Sequence, residues 1–240
     1  RGKKRQHRLQ AARDLTSVTT ATVTDGERAL TANVAQQFIA ALLAKTNLEL
    51  AQQNLASFQQ TLDISQASFQ AGSLSEGDLL KIKLQMLQFQ MDLSAAKLAQ
   101  VQALASLRQL IGFDAVPESY EVDGDLAYES LPLNLDDVKM LALRTRPDLR
   151  AAQLGIQAAQ SQYALAKANG KQDVGVTFTY NHLTAINTGS LFFNMPIPIF
   201  DRNQGEIART RYAITQSQEL SSEQASLALT DVTNSYESLR

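Results

Sequence analysis

Apolar and small residues recur through residues 34–69 at alternating steps of three and four. Val34, Ala41, Ala44, Leu48, Ala51, Leu55, Phe58, Leu62 and Phe69 carry the series, and Gln37 and Ser65 fill its two gaps. This is a seven-residue repeat, the seam of a coiled coil. Residues 5–69 contain no Pro and a single Gly, Gly26, so little in them forces a break. About 65 helical residues would extend about 95–100 Å, a rod that no single compact domain hides. Residues 70–77, QAGSLSEG, interrupt the pattern with two Gly and two Ser, a signal for a turn between two helices. Ser75 is a good N-cap, and Asp78 three residues later completes a pair like a capping box. The return helix runs to about Ile111. Its seam reads Leu80, Leu84, Leu87, Met91, Ser94, Leu98, Val101 and Ala105. A second stripe, Ile82, Phe89, Ala96, Ala103 and Leu110, repeats every seven residues. Two stripes predict neighbours on more than one side, as in a bundle or a ring of helices.

Residues 112–133 lose the helical period. They carry Pro117, Pro132, a short alternating piece (Tyr120, Val122, Gly124, Leu126) and the acids Glu118, Glu121, Asp123, Asp125 and Glu129. The acids raise calcium as a ligand, but their spacing fits no EF-hand loop, and a solvated loop explains them. Asn134 caps a short helix to about Thr145. Pro147 and Asp148 suit the first turn of the next helix, which Gly170 ends. The period then drops to two. In residues 174–181, Val174, Val176, Phe178 and Tyr180 alternate with Gly175, Thr177, Thr179 and Asn181, the pattern of a strand with two different environments. Asn187, Thr188 and Gly189 read as a turn. A second apolar run follows, ending in Met195-Pro196-Ile197-Pro198-Ile199-Phe200. A hairpin this isolated is marginal in water and needs a partner sheet or a membrane barrel. Pro196 and Pro198 cannot donate ladder bonds, so pairing should weaken there. Residues 205–240 are helical again. Val232 and Tyr236 in VTNSY match Val34 and Phe38 in VAQQF, which implies a duplicated unit of hairpin followed by long helix.

Composition narrows the chemistry. The 240 residues carry a net charge of −2, no Cys, no Trp and two His. Nothing in that balance points to nucleic acid as a partner. Disulfides and thiolate metal sites are excluded, and two isolated histidines, His7 and His182, make no zinc or catalytic centre. No cofactor is implied. No run of 18 apolar residues occurs, so no transmembrane helix is expected. Outer-membrane strands alternate and escape that test. The start, RGKKRQHR, holds five Lys/Arg in eight residues. Without an apolar segment behind it, it is not a signal peptide. A nucleic-acid or localisation patch is one reading, and a solvated basic start to a helix is the simpler one. No Gly-rich phosphate loop, nucleophile elbow or H-E-x-x-H occurs, so an enzyme is not expected.

The run PIPIFDRNQGEIARTR, with RPDLRAAQLGIQAAQ upstream of it, resembles the second repeat of the outer-membrane efflux protein family, whose type member is TolC. The ending from Pro198 to Glu206 is most similar to the family's heavy-metal (cobalt–zinc–cadmium) branch. The resemblance covers nearly the whole chain. It also gives the basic start a third reading: in the family a Gly-Lys-Arg stretch follows a first hairpin and opens the first long helix, so a first hairpin is expected upstream and further chain beyond Arg240.

The resemblance implies a mainly α fold. Long antiparallel coiled-coil helices form an α-barrel, and a β-hairpin contributes to a trimeric transmembrane β-barrel. Residues 1–111 would be a helical hairpin of a periplasmic tunnel, and 112–146 an equatorial loop and short helix. Residues 147–171 would lead to the barrel, 172–200 form the transmembrane hairpin, and 201–240 begin a second tunnel helix. Phe69, Gly72, Ser75, Asp78 and Leu79 match the family's F-x-x-G-x-x-S-x-x-D-L hairpin tip, where a periplasmic adaptor docks. An ordinary turn between helices would need the same Gly and Ser. Thr177, Thr179 and Asn181 would line the barrel lumen, with Val176, Phe178 and Tyr180 toward outer-membrane lipid and Tyr180 and His182 in the interfacial belt. The implied function is a passive export duct, a homotrimer working with the adaptor and an inner-membrane pump and carrying heavy-metal cations. The alternative is a soluble coiled-coil adaptor or scaffold.

Overall fold

The computed structural model describes residues 3–127, 132–197 and 199–239. Arg1 and Gly2 of the basic start, Glu129 of the acidic loop, and Pro198 with its expected effect on pairing lie outside the described residues. In chain order the elements are α1 (Lys4–Gln70), α2 (Glu76–Ile111), α3 (Leu135–Thr145), α4 (Pro147–Asn169), β1 (Gly175–Leu183), β2 (Ile186–Asn194) and α5 (Gln204–Leu239). The chain divides into two units. Arg28–Leu131 is one, and Arg1–Glu27 with Pro132–Arg240 is the other. Helix α1 supplies residues to both.

In the unit Arg28–Leu131, the rest of α1 and all of α2 run antiparallel. The expected α1 seam is the face turned inward: from Val34 to Ser65 its members are buried or half-buried. Gln37, a gap in the apolar series, donates from Nε2 to the Ala103 carbonyl at 3.2 Å. One core cluster joins Ala41, Leu42, Leu107 and Val122, and a second joins Leu62, Leu79 and Met86. The Phe58 and Phe89 rings meet between them at 4.7 Å. Fully burying a side chain such as Leu107 stabilises by about 1.5–3 kcal/mol. The acidic loop lies across this pair. Val122 is buried, the Tyr120 hydroxyl donates to the Leu104 carbonyl, and Lys45 Nζ donates to the Val122 carbonyl at 3.0 Å.

Helix α2 does not present its expected seam to α1. The second stripe, Ile82, Phe89, Ala96, Ala103 and Leu110, is the half-buried one. Leu80, Leu84, Leu87, Met91, Leu98 and Val101 are each more than half exposed. The reason is geometric. Neighbouring residues sit about 100° apart around a helix, so a single partner covers one stripe and leaves the other open.

In the unit Arg1–Glu27 with Pro132–Arg240, α4 packs against α5 and, through small residues, against the start of α1. Ala11, Ala21, Ala158, Ala166, Ala168 and Ala228 are buried, which lets the backbones approach closely. The buried Asp14 carboxylate accepts from Gln10 Nε2 at 2.9 Å, Gln157 Nε2 at 3.1 Å and the Ser161 hydroxyl. A buried charge needs such donors. At the α3–α4 junction, Arg146 forks onto Asp148 at 2.7 Å and reaches Asp231 of α5 at 3.5 Å.

The run Asp201–Gly205 is a clasp between α4 and α5. Asn203 adopts φ 63°, and its carbonyl accepts the first helical bond of α5 from Ile207 N–H at 2.9 Å. Its own N–H donates to Asp201 Oδ1 at 2.7 Å, and its side-chain Nδ2 donates to the Ala166 carbonyl of α4 at 2.8 Å. That carbonyl belongs to the last turn of α4 and also accepts from Gly170 N–H at 3.2 Å. Gly170 allows the approach, since a Cβ there would stand 2.6 Å from the Arg202 carbonyl oxygen. Replacing Asn203 by Ala removes a hydrogen bond and puts in the left-handed region a residue that tolerates it less well than Asn, an expected loss of about 1–2 kcal/mol. Asn203→Gly keeps the backbone and should lose less, whereas Gly170→Ala should destabilise like Asn203→Ala. Denaturation midpoints followed by circular dichroism rank the three variants.

Candidate functional site

Two regions collect the residues singled out by sequence. The first is the turn between α1 and α2. Helix α1 ends in a Schellman arrangement: Gly72, at φ 77°, donates from its N–H to the Phe69 carbonyl at 3.0 Å, and Ser73 N–H donates to the Ser68 carbonyl at 2.9 Å. The left-handed backbone at Gly72 is one that residues with a Cβ adopt at a penalty. Ser75 then caps α2. Its Oγ accepts from Asp78 N–H at 3.1 Å, and its hydroxyl donates to Asp78 Oδ2 at 2.7 Å. Lys81 Nζ lies 3.0 Å from Asp78 Oδ1. The Ser75 hydroxyl, with Lys81 behind it, holds the Asp78 carboxyl below its ordinary range. Leu79 is buried with Leu62 and Met86, and Leu74 packs on the same cluster. The five residues therefore divide. Leu79 pins the turn to the core, Gly72 and Ser75 shape it, and the side chains of Phe69 and Asp78 face outward.

The second region is the hairpin. β1 and β2 pair antiparallel, with Val176 opposite Phe193, Thr177 opposite Phe192, Phe178 opposite Leu191, Thr179 opposite Ser190, and Asn181 opposite Thr188. Opposed residues share a face in an antiparallel pair. One face is thus Val176, Phe193, Phe178, Leu191 and Tyr180. The other is Thr177, Thr179, Ser190, Asn181 and Thr188, interrupted by Phe192. Both faces are exposed along nearly their whole length. At the loop end, Tyr180 hydroxyl donates to Asn187 Oδ1 at 2.7 Å, and His182 Nδ1 lies 2.5 Å from the same oxygen.

The turn sits at Thr184 and Ala185, with Thr184 at φ 53°, and not at Asn187–Gly189, which pair within β2. A two-residue loop favours Gly or Asn, so Thr-Ala gives no local signal. The parity of apolar residues decides the register instead, since it matches Val176 and Phe178 with Phe193 and Leu191. Gly189 has a role in the pairing: the Phe178 ring lies 3.6 Å from where its Cβ would stand. Asp14 was also missed, although Ala11, Asp14, Val18 and Ala21 step by three and four and place it on an inward stripe.

Comparison with known proteins adds a family. The family model for outer membrane efflux proteins matches residues 1–113. Protein CyaE of Bordetella pertussis is 27% identical over 228 residues, covering 87% of this chain and 47% of its own length. The cobalt-zinc-cadmium resistance protein CzcC of Cupriavidus metallidurans is 24% identical over 209 residues, covering 86% of this chain and 49% of its own. The chain spans about half the length of these curated relatives. The outer-membrane channel OprN superposes with a TM-score of 0.80 at 20% identity, over 98% of this chain and 55% of that one. The fold is that of these channels, long helices with a hairpin of strands.

The cap predicts a pH effect of definite sign. Because the folded Asp78 carboxyl is lowered, its contribution is complete above the ordinary value of 3.8 and is lost as the pH falls through the lowered folded value. Ser75→Ala should move the Asp78 titration upward, read by carboxyl NMR. It should also lower helix stability by about 1 kcal/mol.

Proposed function

We propose that this chain belongs to the outer membrane efflux protein family, whose model matches residues 1–113, and is part of a passive duct through the outer membrane. The observation that carries the reading is the two-faced hairpin. Its apolar face suits lipid, with Val176, Phe178 and Tyr180 outward. Its polar face, Thr177, Thr179 and Asn181, suits a water-filled lumen. A nine-residue strand has the length of a tilted transmembrane strand, about 9–11 residues.

Two strands cannot close a barrel, for which about eight is the minimum. Further strands are therefore needed, from the rest of the protein or from other subunits. A homotrimer follows if each subunit brings a second hairpin, as the internal repeat implies. The open stripe of α2, from Leu80 to Val101, then meets helices of the assembled tunnel. In this reading the turn at Phe69, Gly72, Ser75, Asp78 and Leu79 receives a periplasmic adaptor, which links the duct to an inner-membrane pump. Heavy-metal cations are the proposed cargo, supported by the resemblance to CzcC.

Arginine scanning of the hairpin tests the wall. Phe178→Arg should block insertion and trimer formation in the full-length protein, at about 2–4 kcal/mol per subunit for a mid-membrane Arg on the lipid face. Thr179→Arg should leave insertion intact. Recovery of the unmodified protein as a monomer in water without detergent would overturn the duct and favour a soluble scaffold. At the tip, Asp78→Lys should abolish tolerance to cobalt, zinc or cadmium while trimers persist. Unchanged tolerance in a strain dependent on this protein would refute the docking role.

A further inference from the structure

We infer that Phe192 sets the specificity of the β-barrel lumen: its ring, repeated around the assembled duct, holds back poorly hydrated organic cations and lets cations that keep their water pass. The lumen assignment is that of the proposed function, on which this inference rests. Phe192 pairs with Thr177 and is 60% exposed. Gly175 and Asn194 precede that pair on the same face, and Thr179 and Ser190 follow it. None of these neighbours offers an apolar side chain, so the ring has no apolar company on its face of the hairpin there.

Packing does not account for an aromatic in this place. Adjoining strands would pair with the edges of the hairpin and lie beside it in the sheet, not over its face. The ring therefore stays turned to the lumen however many strands complete the barrel. In a cyclic assembly every subunit presents it at one height, as three copies in a homotrimer. The Thr177–Phe192 pair lies toward the end of the ladder opposite the Thr184–Ala185 loop, where the hairpin joins α4 and α5. The aromatics thus ring the mouth between helices and barrel.

Their chemistry acts on cations. Residues 175–194 contain no Asp, Glu, Lys or Arg, so this hairpin brings no charged ring of the kind by which pores select ions. An aromatic face carries the negative part of the ring quadrupole and attracts cations, quaternary ammonium groups among them. That attraction needs contact with the ring. A tetraalkylammonium ion has little water to lose and makes the contact. A magnesium ion dehydrates reluctantly and stays behind its waters. Phe192 therefore sorts cations by how firmly they hold their hydration shell.

The test uses the full-length protein reconstituted in planar phosphatidylcholine bilayers and in vesicles of the same lipid. Tetraethylammonium should reduce the potassium current. Phe192→Leu keeps apolar bulk but loses the π face, and should weaken that block about two- to fivefold. Phe192→Trp should tighten it, and Phe193→Leu, the same change on the opposite face, should leave it as it was. Magnesium should act equally on all four proteins. A tetraethylammonium block indifferent to residue 192, or an equal dependence for magnesium, overturns the assignment. Placement is read separately. The chain has no Cys, so Phe192→Cys and Phe193→Cys each introduce one thiol into it. A charged, membrane-impermeant methanethiosulfonate should modify position 192 and spare 193, followed by mass. Equal modification, or modification of 193 alone, overturns a lumenal Phe192. A conducting, detergent-dependent trimer with either failure sinks this inference alone, whereas a water-soluble monomer that passes no current sinks the duct.

Discussion

A two-stranded sheet has two edges, and each edge of the β1–β2 ladder carries backbone N–H and C=O groups with no partner in the hairpin. In water such groups are solvated. In lipid each one costs several kcal/mol, which restricts spanning strands to closed barrels. The apolar face of Val176, Phe178, Leu191 and Phe193 makes water a poor medium for one side of the sheet. The polar face makes lipid the wrong medium for the other. Both mismatches vanish together when further strands join the edges and curl the sheet around an aqueous lumen. If the hairpin lies in lipid, backbone hydrogen bonding requires further strands at both edges, from the same protein or from other subunits.

The helices carry an unmet surface of their own. The α1 seam is covered by the second stripe of α2, and the clusters around Leu107 and Leu62 hold the pair. The stripe from Leu80 to Val101 remains bare. Aliphatic side chains repeating at four and three form a coiled-coil surface, not a scatter of exposed residues. Elsewhere two charged side chains are answered internally. Asp14 receives neutral donors, and Arg146, its charged form favoured chiefly by the hydrogen bond to Asp148, sits between two carboxylates. Such groups fix how helices meet.

Much of this was legible in the sequence because long periodic segments report their own burial. The α1 seam, the Ser75 cap, the Asn134 cap and the alternation of β1 follow from spacing and local chemistry alone. The helix of α2 showed why that method stops. Two stripes of comparable strength lie side by side, and the pattern cannot say which of them meets α1 and which waits for another partner. The hairpin turn failed for a different reason. Asn187, Thr188 and Gly189 have turn chemistry, whereas Thr184 and Ala185 do not. Register across the whole ladder outweighed two residues of local preference. The inward position of Asp14 was readable from its spacing, but a charge on such a stripe is ordinarily taken for a break in it.

The run Asp201–Gly205 illustrates how a recognisable motif and a functional residue can differ. As sequence it resembles a heavy-metal efflux branch, and its acid and amides invite a reading as ligands. In the fold those groups are engaged with backbone. Asp201 accepts from Asn203 N–H, Gln204 bridges Arg202 and Phe200, and Asn203 closes the end of α4. A residue that satisfies the backbone in this way has few lone pairs to offer an ion. The motif instead fixes the angle at which the chain leaves the hairpin and enters α5, on which the placing of strands relative to helices depends.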